Sequence, residues 1–115
     1  PKSIQYHLVK NNHQHYFIKI LSDSEADTET KIQSAFIISC ICNNYRPGKQ
    51  ACLSNNLIPY CLDNIFSTNP ILRQWSVLAL GKLWEDFPMA KMQGIEYQAH
   101  ELLCQLLNDP FPEVF

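Results

Sequence analysis

The sequence predicts an all-α fold, an armadillo/HEAT-like α-solenoid fragment of about two and a half helical repeats. Three observations predict it. Apolar residues recur at helical spacing through most of the chain, and no clean apolar/polar alternation rises above that rhythm. Asn, Asp, Pro and Gly punctuate the rhythm at intervals that suit short helices. Finally, the chain matches itself at a shift of 42: Lys31 falls on Arg73, Ala35 on Val77, Ser39 on Gly81, Ile41 on Leu83, Cys42 on Trp84, Ile65 on Leu107, Pro70 on Pro112 and Leu72 on Val114. A period near 42 with helix–turn–helix content is that of armadillo or HEAT units, which bury their apolar faces only by stacking.

Taken in order, residues 12–21 place Tyr16, Phe17, Ile20 and Leu21 on one helical stripe. An acidic, polar break follows at 22–27, where Ser24 is the expected N-cap and Asp27 favours a helix N-terminus. The next helix is expected over about 25–45. Its apolar residues Ile32, Ala35, Phe36, Ile38, Ile41 and Cys42 nearly encircle it, as in a helix buried on most sides. Arg46-Pro47-Gly48 is expected to end it, with Pro barring continuation and Gly left-handed. A short helix over about 50–53 is followed by Asn55-Asn56, with Asn56 capping a helix to Phe66 and Pro59 in its first turn.

Asn69 then caps a helix that opens on Pro70. It carries Ile71, Leu72, Trp75, Leu78, Ala79, Leu80, Leu83 and Trp84, again apolar nearly all round, and ends near Phe87-Pro88. Residues 89–94 read as a connector with room for one turn of helix. Residues 95–107 are amphipathic, with Ala99, Leu102, Leu103, Leu106 and Leu107 inward. Residues 108–113 start another helix shortly before Phe115. That start signal, and the lack of an initiator Met, predict a chain cut from something longer. The expected organisation is one solenoid segment, 1–115, with units of roughly 5–45, 46–87 and 88–115, the last truncated. The expected structural core is Phe36, Ile41, Leu72, Trp75, Leu78, Gly81, Leu83, Leu103 and Leu107. Ser39 and Gly81 are expected to let a neighbouring helix approach closely.

Composition narrows the function. Hydrophobic residues are 46% of the 115, enough for a packed core, whereas charged residues are only 17%. Sparse charge suggests that some surface faces protein rather than water. Nine Lys+Arg against eleven Asp+Glu give a net charge of −2, which argues against nucleic-acid binding. Three glycines leave no room for a Gly-rich phosphate loop. The longest apolar run, 35–42, is interrupted by Ser39 and too short to span a bilayer, which takes about 20 residues. The first residues lack a signal peptide's apolar stretch.

Five cysteines, most in apolar segments, suit a reducing compartment and packed thiols. Cys40-x-Cys42 with Cys52 and Cys61 matches no standard zinc spacing, and i, i+2 positions on a helix diverge by about 200°. His13 and His15 diverge for the same reason, one at a junction and one solvated. His100 and Cys104, at i and i+4, are the best nucleophile–base pair, but Cys104 sits among leucines and reads as core. No catalytic motif occurs, so neither enzyme activity nor a cofactor is expected. Glu25, Asp27 and Glu29 read as a solvated helix start, Trp75 as a core anchor, and Trp84 as an anchor nearer a surface. Connector 89–97, rich in Met and Tyr, is a candidate contact segment on the solenoid rim.

Specific residues go beyond the generic repeat. The run Leu72-Arg73-Gln74-Trp75-Ser76-Val77-Leu78-Ala79-Leu80-Gly81-Lys82-Leu83-Trp84 resembles the L-R-Q-W…L-G-x-[IL]-W signature of the Raptor family, regulatory subunits of TOR complex 1. Val9-Lys10-Asn11 with His15-Tyr16-Phe17, Ala35-Phe36-Ile37 with Asn44-Tyr45, and Gly48-Lys49-Gln50-Ala51-Cys52-Leu53 with Asn56-Leu57-Ile58 resemble flanking family segments in the same order. So do Ala99-His100-Glu101 and Leu107-Asn108-Asp109-Pro110-Phe111-Pro112-Glu113-Val114, although Phe115 stands where the family has Arg. The resemblance covers about residues 8–115.

The resemblance implies a non-catalytic piece of the family's armadillo-type solenoid, which lies between a caspase-like domain and a β-propeller. It implies docking on the TOR kinase, reception of Rag GTPases, support of substrate recruitment, and a cytoplasmic protein recruited to the lysosomal or vacuolar surface without membrane insertion. Rag binding in the family is to loops and helix ends, so the interface residues expected here are Asn55, Asn56, Lys91, Gln93, Glu96, Tyr97 and Gln98. The alternative is a peptide-carrying armadillo adaptor of the nuclear-import type. That class uses W-x-x-x-N, but Trp75 is followed four residues on by Ala79 and Trp84 by Pro88.

Overall fold

The computed structural model describes residues 2–96. Within them the chain forms seven helices and no strand: α1 (Lys2–Lys10), α2 (His13–Ser22), α3 (Thr28–Cys42), α4 (Arg46–Ser54), α5 (Leu57–Asn64), α6 (Pro70–Trp84) and α7 (Pro88–Glu96). None of them is long and apolar enough to cross a membrane. The helices α1–α3 recur as α4–α6. Each third helix, α3 and α6, is 15 residues long, each first helix is 9, and α7 is again 9. The most extensive packing between helices is α3 on α6, so the third helices form the spine of the stack. The fold is an α-solenoid fragment.

Side-chain chemistry sets the boundaries. The Asp27 carboxylate accepts from the Thr30 N–H at 2.7 Å and caps α3, so the cap falls three residues after Ser24. The Asn69 Oδ1 accepts from the N–H groups of Ile71 and Leu72, with Pro70 inside the first turn of α6. Each tight reversal is made by an Asx residue with positive φ: Asn12 (60°), Asn44 (52°), Asn56 (64°) and Asp86 (53°). Short polar side chains tolerate that region best after glycine. The break after α3 therefore lies at Asn44, not at Gly48. Pro47 opens α4 rather than closing α3, and Gly48 stands inside α4. A Cβ at Gly48 would run into the Ile41 carbonyl oxygen, so glycine lets α4 lie directly against α3.

Helix α1, to which the apolar rhythm gave no signal, is held by a polar clamp. Buried Gln5 donates its amide to the carbonyls of Cys40 and Asn43, both at 2.8 Å, at the C-terminal end of α3. At the same place in the second unit stands Lys49, only 4% exposed, whose ammonium donates to the Glu85 carbonyl after α6. Arg46 adds a bond to the Asp86 carbonyl at 2.6 Å and lies over the Phe87 ring. Helix C-termini leave such carbonyls unpaired, and a cation there also meets the negative end of the dipole. Asn64 does the same for α2, donating to the Leu21 carbonyl at 3.0 Å.

One contiguous core joins Ile18 and Leu21 of α2, Ala35, Ile38, Ile41 and Cys42 of α3, Cys52 of α4, Leu57, Ile58 and Cys61 of α5, and Ala79, Leu80 and Leu83 of α6. Ile41, Leu72 and Leu83 are buried. Three residues expected in the core are not. Phe36 is 47% exposed, Leu78 is 41% exposed, and Gly81 is exposed with nothing near its missing Cβ. Gly81 therefore brings no helix closer. Phe36 and Leu78 occupy corresponding places on α3 and α6, on the side of the spine turned away from the core. Trp75 is half-buried, edge-to-face on Phe36 with centroids 5.0 Å apart. Leu103 and Leu107 lie outside the described residues.

Candidate protein-docking surface

Helix α2 buries Gln14, Ile18 and Leu21, which turns His15, Tyr16, Lys19 and Ser22 outward. Opposite them the α4–α5 junction presents Ser54, Asn55 and Asn56. Asn55 uses its amide nitrogen to cap α4 on the Ala51 carbonyl at 2.7 Å. Its Oδ1 faces His15 Nδ1 at 3.0 Å, so His15 donates and Asn55 accepts. This bond ties the two units together across 40 residues of sequence.

Around it lies a hollow of ≈ 240 Å³ lined by His15, Ile18, Lys19, Ser22, Ser54, Asn55, Asn56 and Tyr60. Ser22 gives its hydroxyl proton to the Lys19 carbonyl. Lys19, Ser54, Asn56 and Tyr60 line the rest, and no Asp or Glu is among the described residues of the wall. A second hollow of ≈ 320 Å³ shares Lys19 and Ser22, and is completed by Tyr16, Ile20 and Asp23. Tyr16 is 61% exposed and braced edge-on by Phe17, with centroids 5.2 Å apart. The surface is thus a cationic, donor-rich pocket beside an aromatic–aliphatic one.

The structure brings Asn55 and Asn56 into one hollow, but distributes the other expected interface residues differently. The segment beginning at Met89 is not a rim connector; it is helix α7, over which Pro88–Glu96 is continuous. Lys91 is exposed on α7 and Gln93 half-buried, and neither lines the hollow. Glu96 is the last residue of α7, and Tyr97 and Gln98 lie outside the described residues. Pro88 stands in the first turn of this helix, and Gly94 lets it pack on Trp84, because a Cβ there would stand 2.7 Å from the ring. Sequence reasoning missed Lys19, Ser54 and Tyr60. A signal for the junction existed: Asn11-Asn12 and Asn55-Asn56 match at a shift of 44, two more than the shift that aligns the third helices.

Among the described residues no cluster of His, Cys, Asp or Glu is built to hold a metal ion. Cys42, Cys52 and Cys61 are buried free thiols, whereas Cys40 is exposed. Contact with the Cys42 thiol, together with burial, pushes the Cys52 thiol well above its ordinary range, and burial does the same to Cys61. Such thiols stay protonated and are poor nucleophiles. His100 and Cys104 lie outside the described residues.

No family model matches the sequence. Among curated proteins it is 47% identical over 113 residues to the protein raptor homolog of Dictyostelium discoideum, covering 98% of this chain and 8% of that one. It is 42% identical over 120 residues to the regulatory-associated protein of TOR 1 of Arabidopsis thaliana, with 98% and 9% covered. Among solved structures, the crystal structure of Chaetomium thermophilum Raptor superposes with a TM-score of 0.92 at 35% identity, covering 99% of this chain and 11% of that one. The chain thus spans about a tenth of the length of the relatives it matches.

Proposed function

We propose a scaffolding role for this chain, which is homologous to a segment of the Raptor family: it is a non-catalytic stretch of solenoid that holds other components of TOR complex 1 in nutrient-responsive TOR signalling. It contributes to docking on the TOR kinase and receives Rag GTPases, supporting substrate recruitment by a cytoplasmic assembly drawn to the lysosomal or vacuolar surface. The observation that carries this reading is the surface formed by α2 and the α4–α5 junction. It combines a polar hollow at Asn55 and Asn56 with the exposed Tyr16 and half-buried Ile20 on a helical frame, and protein partners favour such surfaces. The interface residues proposed for this role are Asn55 and Asn56 on that surface, together with Lys91, Gln93, Glu96, Tyr97 and Gln98 elsewhere in the chain.

The test is made in the full-length protein that carries this segment. Purified Rag heterodimer and TOR kinase are titrated separately against the wild type, against Asn56→Ala combined with Lys91→Ala and Glu96→Ala, and against Ser54→Trp, which fills the hollow from an exposed position. Loss of Rag binding with TOR binding retained is the expected result. Unchanged Rag binding in both variants rejects these sites.

A further inference from the structure

The two hollows on α2 differ in chemistry, and the difference specifies what fits them. The first has Lys19 as the basic residue of its lining and the polar residues Ser54, Asn56 and Tyr60 beside it, with no Asp or Glu among the described residues of its wall. Lys19 is not held by the Ser22 hydroxyl, which bonds its backbone carbonyl instead. The His15–Asn55 bond joins two of the residues that line this hollow. The second hollow shares Lys19 and Ser22 with the first and adds Tyr16, Ile20 and Asp23. A ligand with a carboxylate alone leaves Tyr16 uncovered, and an apolar ligand alone strips water from Lys19 without replacing it, which is unfavourable.

We propose that this surface recognises an acidic side chain with an apolar side chain beside it on a partner protein, the carboxylate against Lys19 in the first hollow and the apolar group on Tyr16 and Ile20 in the second. This rests on the docking role assigned above and specifies its chemistry. Charge complementarity carries the acidic half, because an opposite charge in a concave, donor-lined wall is favoured and a like charge is rejected. The aromatic side chain, already braced by Phe17, carries the apolar half at little entropic cost.

The experiment uses the full-length protein and purified Rag heterodimer as the probe, in four measurements. Affinity is read for Lys19→Glu, Lys19→Arg, Lys19→Gln and Tyr16→Ala, all at exposed positions on a helix that keeps its buried face. Lys19→Glu is expected to weaken binding on the order of tenfold or more, Lys19→Arg to stay within about twofold, and Tyr16→Ala to weaken it about three- to tenfold. The salt dependence of the wild type is expected to flatten in Lys19→Gln. A carbodiimide, which joins an amine to a carboxylate in contact, is expected to link Lys19 to an Asp or Glu of the partner, and the link to vanish in Lys19→Arg while binding persists. If Ser54→Trp abolishes binding and Lys19→Glu does not change it, the docking role stands and the acidic recognition falls. If Ser54→Trp and the triple variant both leave binding intact, the docking role falls and this inference with it. Loss of binding after phosphatase treatment of the partner makes the ligand a phosphate and overturns the carboxylate, and an unchanged Tyr16→Ala overturns the apolar half.

Discussion

Replacing Lys49 with Met removes the donor that closes the end of α6, while keeping a flexible apolar stem in the core. The Lys49 ammonium donates to the Glu85 carbonyl from a position only 4% exposed. A hydrogen bond with a charged donor contributes about 1.5–3 kcal/mol, and a cation at a helix C-terminus adds about 0.3–1 kcal/mol. Against this, Met no longer carries a charge out of water, which returns part of that gain. The expected net loss is about 2 kcal/mol. Gln is the informative second variant, because Gln5 makes the equivalent bonds to Cys40 and Asn43 in the first unit. Lys49→Gln should therefore lose about 1 kcal/mol or less.

The assay is amide hydrogen exchange of the folded full-length protein, read on peptides covering residues 78–90. A local loss of about 2 kcal/mol speeds exchange about 30-fold, and about 1 kcal/mol speeds it about fivefold. Peptides covering α2 and α5 serve as the unaffected control. Equal acceleration in Met and Gln, or none in Met, would refute the clamp as a determinant of stability.

Two further outcomes arise from the same geometry. The Thr30 backbone N–H holds the Asp27 carboxyl below its ordinary value of 3.8. A folded pKa below the unfolded one means that the cap contributes above pH 3.8 and fades as pH falls through the lower folded value. Acidification should therefore fray the start of α3 while the neutral Asn69 cap of α6 persists, and the Thr30 and Leu72 amide resonances followed against pH distinguish the two. At neutral pH a small alkylating reagent should label Cys40 and spare Cys42, Cys52 and Cys61 until the chain unfolds, as read by mass spectrometry. Early labelling of Cys52 or Cys61 would mean that α3, α4 and α5 do not close over them.

The third helices were legible because α3 and α6 share a length, an Asx cap and an apolar content that a shift of 42 superposes. Their orientation was not. A helix apolar on all sides carries no mark of which side faces the core, so Phe36 and Leu78 read as buried although each keeps nearly half of its surface exposed. Helix α1 escaped notice because its anchor is an amide, Gln5, rather than an apolar stripe. Residues from Met89 onward read as a connector because Gly94 weakens a helical pattern, whereas packing against Trp84 requires that glycine. At the docking surface, Asn55 and Asn56 were legible as a turn. Lys19 and Tyr60 were not, because nothing local announces that α2 and the α4–α5 junction meet.

The two tryptophans occupy different seams of the stack. Trp75 leans on Phe36 where the first unit meets the second, and Trp84 is covered by Gly94 where the second unit meets α7. Indole emission is sensitive to its immediate neighbours, so the segment contains two built-in optical gauges, each reporting on one joint. Phe36→Leu should alter the light from the first alone, and a partner that bends the spiral at a single joint would announce which one by colour.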